Sequence, residues 1–104
     1  MRQAEVKSFP AQRTVAVIGG ITGLEPQYRR VLEERNFYSR IYNQNNNGLK
    51  GTAEGTDFII LFTATVSHSM ALRARKMAHS SGIPLVTVKP SSVSALKKSL
   101  SALR

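Results

Sequence analysis

The chain has 104 residues, 41% of them hydrophobic and 20% charged, with a formal net charge of +9; that is the size and composition of one globular domain and not of a disordered tail. It contains no cysteine, which excludes a disulfide framework, a zinc–thiolate site, an iron–sulfur cluster and a thiol nucleophile together. No apolar run approaches the ~18 residues of a membrane span, and the opening MRQAEVKSFPAQR lacks a signal-peptide core, so a cytoplasmic protein with no membrane partner is expected.

Residues 1–13 read as a polar arm and residues 14–104 as a single α/β domain. Thr14–Ile18 is a β-branched run that stops at Gly19-Gly20, the pattern of a buried strand entering a turn. A helix over Glu25–Arg35 puts Tyr28, Val31 and Leu32 on one face and the Arg29–Glu33 and Arg30–Glu34 pairs on the other. Phe37–Tyr42 is a second strand, more exposed because Ser39 and Arg40 interrupt it. The tract Asn43–Gly48 favours turns, since Asn side chains bond nearby backbone and tolerate left-handed geometry; it reads as a loop, or as a loop with one short helical turn near Leu49–Glu54. Phe58–Phe62 (FIILF) is the most apolar run and reads as a central strand buried on both faces.

Ser67 suits the N-cap of a helix through Ser80, with Met70, Ala71, Ala74, Met77 and Ala78 inward and Arg73, Arg75, Lys76 and His79 outward. Gly82 stops it, Pro84–Val88 is the fourth strand, and Ser91 or Ser92 caps a last helix with Val93, Leu96, Leu100 and Leu103 inward. Strands alternating with helices imply right-handed βαβ crossovers and a mostly parallel four-stranded sheet. A sheet this small makes a second copy of the chain, as a homodimer, one expected partner.

In an open parallel sheet the ligand sits beyond the carboxyl ends of the strands, where helix N-termini also point. Three segments are expected to meet there: Gly19, Gly20 and Thr22 after the first strand, Thr63, Thr65, Ser67 and His68 after the third, and Lys89, Ser91 and Ser92 after the fourth. They offer glycines, hydroxyls, a lysine and helix ends but no carboxylate, so the expected ligand is an anion and not a metal ion. The glycine turn lacks the GxGxxG spacing, and no GxxxxGK[ST] occurs. Ser67, Thr63 or Thr65 with His68 as base would lack an orienting acid, so no catalytic residue is assigned. His68 could instead contact phosphate or ligate a haem iron; His79 reads as solvated.

Charge sharpens the expectation. Residues 1–57 hold eight Lys/Arg and all six acids, whereas residues 58–104 hold seven Lys/Arg and none. Such a field attracts polyanions over roughly 8–10 Å. Tyr38 and Tyr42 could stack on bases, although ordinary sheet packing is the favoured account of them.

The run FIILFTATVSHS over Phe58–Ser69, with Met70-Ala71, Ile83-Pro84-Leu85-Val86 and Ser91–Lys97, resembles the bacterial family called domain of unknown function 2325. Val15–Gly20 matches its strand ending in Gly-Gly, Thr63, Val66, Ser67 and His68 its Thr-x-x-Val-Ser-His segment, and Ser91–Leu96 its serine-rich turn into a last helix. The resemblance spans residues 14–103. It implies a small Rossmann-like, flavodoxin-like three-layer fold and weight on Thr63, Ser67, His68, Ser91 and Ser92. Many members carry Cys or Asn where Ala64 stands here, so a thiol-dependent role does not carry over.

These observations favour a non-enzymatic binding protein for DNA or RNA, with phosphates held by the rim and by Arg73, Arg75, Lys76, Lys89, Lys97 and Lys98. Two alternatives remain: a domain for a nucleotide, phosphorylated metabolite or haem using His68, and a structural or assembly protein whose rim meets another protein.

Overall fold

The computed structural model describes residues 12–42 and 54–102. Strands β1 (Arg13–Ile18), β2 (Phe37–Tyr42), β3 (Phe58–Phe62) and β4 (Leu85–Val88) and helices α1 (Glu25–Glu34), α2 (His68–Ser81) and α3 (Val93–Ala102) follow in the order β1 α1 β2 β3 α2 β4 α3. The sheet is parallel throughout, in the order β2-β1-β3-β4. The chain is therefore an α/β protein with Rossmann-like, flavodoxin-like layering.

The two central strands are near-continuous apolar runs because both their faces are covered: all of β3 is buried, as is β1 from Thr14 onward. Alternation along each strand then builds two cores. Val15, Val17, Phe58, Ile60 and Phe62 pack against Tyr28, Val31 and Leu32 of α1 and Leu96 and Leu100 of α3. Ala16, Ile18, Ile59 and Leu61 pack against Met70, Ala74 and Ala78 of α2. Helices α1 and α3 thus share one layer, and α2 lies on the other.

The crossover through α1 leads from β1 to one edge of the sheet, and the crossover through α2 leads from β3 to the opposite edge. Opposite directions on opposite layers keep one hand for both crossovers. The switch point, where this topology leaves a crevice, falls between β1 and β3.

Local chemistry sets the ends of the elements. Pro26 lies in the first turn of α1, where its missing N–H costs nothing. Ser67 Oγ accepts from Met70 N at 3.2 Å to cap α2. That helix runs one residue beyond the expected Ser80, to Ser81, because the stop is the left-handed Gly82, with Ile83 N bonded to Ala78 O at 2.9 Å. Arg35 caps α1 instead of belonging to it. Strand β4 begins at Leu85, since Pro84 can offer the ladder only its carbonyl, which accepts from Ile59 N at 3.0 Å. Ser92, of the two serines considered, caps α3 by accepting from Ala95 N at 3.1 Å. The polar arm up to residue 11, the Asn43–Gly48 loop, the turn expected near Leu49–Glu54 apart from Glu54, and Leu103 lie outside the described residues.

Candidate functional site

At the carboxyl end of the sheet the turns after β1, β3 and β4 are tied to one another by side chains. Gly20 N donates to Thr65 Oγ1 at 2.8 Å, and that oxygen shares a hydrogen with Ser91 Oγ at 2.7 Å. Ala64 N donates to Lys89 O at 3.3 Å. Tyr28 of α1 reaches up into the same place: its hydroxyl donates to Ser91 O at 2.6 Å and accepts from Ile21 N at 3.0 Å. Its ring, fully buried, stacks on Phe62 with centroids 5.0 Å apart.

The switch-point crevice is consequently filled by the protein's own groups. Backbone N–H groups that cradle a phosphate in dinucleotide-binding turns are, at Gly20 and Ile21, already bonded to Thr65 and Tyr28. Gly20 is required for this closure and not for a ligand's approach: its φ is +97°, and a Cβ there would lie 2.8 Å from Tyr28 Cε2. Sequence reasoning counted Tyr28 as an inward residue of the first helix and among the few aromatics able to stack, and gave its hydroxyl no role. The available signal was its hydroxyl, since a buried tyrosine usually finds a hydrogen-bond partner.

Of the rim hydroxyls, Thr65 and Ser91 knit the turns, and Ser67 and Ser92 cap α2 and α3. Gly19 is buried beneath them, and Thr22 opens a single 3₁₀ turn, Thr22–Leu24. Thr63 and His68 face a different feature. With Val66, Ala71, Leu72 and Arg75 they line an open hollow of about 320 Å³ beside the start of α2. His68 is exposed and Leu72 is 50% exposed.

Helical periodicity explains the grouping. His68, Leu72, Arg75 and His79 recur at i, i+4, i+7 and i+11, one stripe on the outer surface of α2, while Arg73 and Lys76 flank it on the other side. All five polar members of this surface are exposed. Lys97 and Lys98 are exposed on α3, which belongs to the opposite layer, and Lys89 is exposed at the rim between the two. Among the described residues of the acid-free half, the cations on α2 and those on α3 therefore stand on opposite layers, with Lys89 at the rim between them.

A larger open groove of about 890 Å³ lies at the other end of the sheet, with Phe37, Phe58 and Leu100 among its apolar lining. Arg13 and Arg35 in its wall are matched by Glu34 and Asp57, so it carries no preference for an anion. Among the described residues no group of three or more His, Asp or Glu side chains could hold a metal ion. No helix among them is long and apolar enough to cross a membrane.

Parallel sheet, two helical layers and a carboxyl-end rim define a small Rossmann-like α/β protein. The model of the family described as uncharacterized protein conserved in bacteria, domain of unknown function 2325, matches residues 14–103. The chain belongs to that family. No curated protein and no solved structure matches it.

Proposed function

We propose that this protein is a non-enzymatic binding protein of the bacterial cytoplasm whose partner is nucleic acid, held along the outer surface of α2 and the adjoining rim. The observation that carries the reading is the hollow beside His68, which is lined by Arg75 and lies on the helix whose exposed surface also carries Arg73 and Lys76. Arg73, Arg75 and Lys76 supply the charge, Thr63 and His68 supply donors at the rim, and Lys89 extends the positive field across it. The filled crevice supports an external mode of binding, because the usual pocket for a small cofactor has no backbone donors left at Gly20 and Ile21.

Three neutralised phosphates give a log–log salt slope of roughly −2.1 to −2.7, so affinity falls roughly 20–40-fold between about 50 and 200 mM salt. Fluorescence anisotropy with labelled oligonucleotides measures this. Salt-independent binding, or none to DNA or RNA, refutes the reading. Charge reversal at Arg73 and Lys76 separates it from an assembly role, which would survive the change.

One observation favours a second reading. The exposed His68 imidazole stands beside the apolar Val66, Ala71 and Leu72, with the Arg75 guanidinium two turns along the helix. That combination suits haem: an axial ligand, an apolar contact for the macrocycle and a cation for a propionate. Titration with haemin should then produce a Soret band that His68→Ala removes; protein that stays colourless eliminates it.

A further inference from the structure

The hollow also bears on which form of nucleic acid would be bound, an inference that rests on the proposed function. A duplex presents phosphates on its outside and keeps its bases stacked, so a purely electrostatic duplex site needs cations and nothing apolar. The α2 surface is built differently. Between its cations it exposes Leu72, half of whose surface is open to solvent, over a floor of Val66 and Ala71. An exposed leucine among cations is no help to a polyanion's backbone. It does suit the face of an unstacked base.

The walls fit the same occupant. Unpaired bases are held by stacking on planar side chains, histidine rings and arginine guanidinium groups included. His68 and Arg75 are the two planar groups lining this hollow, on one helix stripe with Leu72 between them. The Thr63 hydroxyl, also in the lining, can donate to or accept from a base edge. Phosphates of the same strand would then lie against Arg73 and Lys76 on the neighbouring side of the helix. Apolar floor, planar walls and flanking charge are the combination that single-strand binders use.

We infer that the hollow formed by Thr63, Val66, His68, Ala71, Leu72 and Arg75 receives an unstacked base, so that the partner is single-stranded nucleic acid and not duplex.

The test uses the full chain, a labelled oligothymidylate of roughly 15 nucleotides, within the ~4–16 nucleotide site sizes of small single-strand binders, and a duplex of the same length. Leu72→Glu and His68→Ala are the informative variants, both at exposed positions where the fold should be retained, as circular dichroism checks. The single strand should bind at least about tenfold more tightly than the duplex, and each variant should cost roughly tenfold in single-strand affinity. The salt slope of His68→Ala should stay that of the unaltered protein, because stacking releases no counterions. Equal or tighter binding of duplex, or variants within about twofold of the unaltered protein, overturns the inference while leaving salt-dependent nucleic-acid binding in place. Absence of binding to either probe overturns both.

Discussion

Replacing Tyr28 by phenylalanine should destabilise the protein by about 2 kcal/mol while leaving its packing unchanged. The ring is fully buried and stacked on Phe62, so Tyr28→Phe keeps the apolar contacts and deletes only the hydroxyl. Two groups then lose a partner. Ser91 O, which accepts from that hydroxyl at 2.6 Å in a buried setting, is left unsatisfied at about 1–3 kcal/mol. Ile21 N, which donates to it at 3.0 Å, belongs to a residue 47% exposed, so water recovers most of that bond and the added loss is about 0.5 kcal/mol. For a domain near 100 residues a loss of about 2 kcal/mol lowers the melting temperature by roughly 8–16 °C. Thermal unfolding followed by circular dichroism reads this directly. A melting point within about 2 °C of the unaltered protein would mean that the Tyr28 hydroxyl does not tie the β1 and β4 turns together, and the account of a filled crevice would fail with it.

Gly20→Ala should be more damaging, because it combines a φ of +97° with a Cβ placed 2.8 Å from Tyr28 Cε2; a loss of about 3 kcal/mol or more would show as reduced soluble yield and a melting point well below that of Tyr28→Phe. Thr14→Val should act in the opposite sense. Its hydroxyl oxygen is buried with no hydrogen-bond partner among the described residues, so the near-isosteric swap should stabilise by about 1 kcal/mol in urea titration, and a destabilised variant would refute that. Alanine at Arg73, Arg75 and Lys76 together should reduce the salt slope of nucleic-acid binding by roughly 2 to 3, whereas alanine at Lys97 and Lys98 should leave it nearly unchanged. Equal effects from the two sets would assign the strand to both layers.

Features that one segment decides by itself were legible in the sequence. Phe58–Phe62 has five apolar residues in a row because it is covered on both faces, and no alternation competes with that reading. Ser67 and Gly82 bracket α2 through short-range bonds, to Met70 and between Ile83 and Ala78, that need only neighbouring residues. The closure of the rim was not legible, since it joins residues far apart in the chain: Tyr28 to Ser91 across 63 positions and Gly20 to Thr65 across 45. Serines and threonines there read equally as ligand donors or as mutual partners until the topology brings them within reach. Charge counting had the same blind spot. It grouped Arg73–Lys76 with Lys97 and Lys98 as one acid-free half, but the layer that each helix occupies depends on the sheet order, which composition does not encode.

The filled crevice also sets an energetic condition on any ligand that would bind in it. To reach the backbone donors of Gly20 and Ile21, an anion must displace Thr65 Oγ1 and the Tyr28 hydroxyl, each bond worth about 0.5–1.5 kcal/mol. It must also move an aromatic ring that is fully buried, at about 1.5–3 kcal/mol. Binding there therefore begins with a deficit of roughly 3–6 kcal/mol, two to four orders of magnitude in affinity. The hollow on α2 requires no such rearrangement: its leucine, imidazole and guanidinium already stand open. A ligand free to choose between the two sites with comparable contacts in each would occupy the outer one. The carboxyl-end turns that supply the ligand pocket in other sheets of this kind serve here to tie the ends of β1, β3 and β4 to one another.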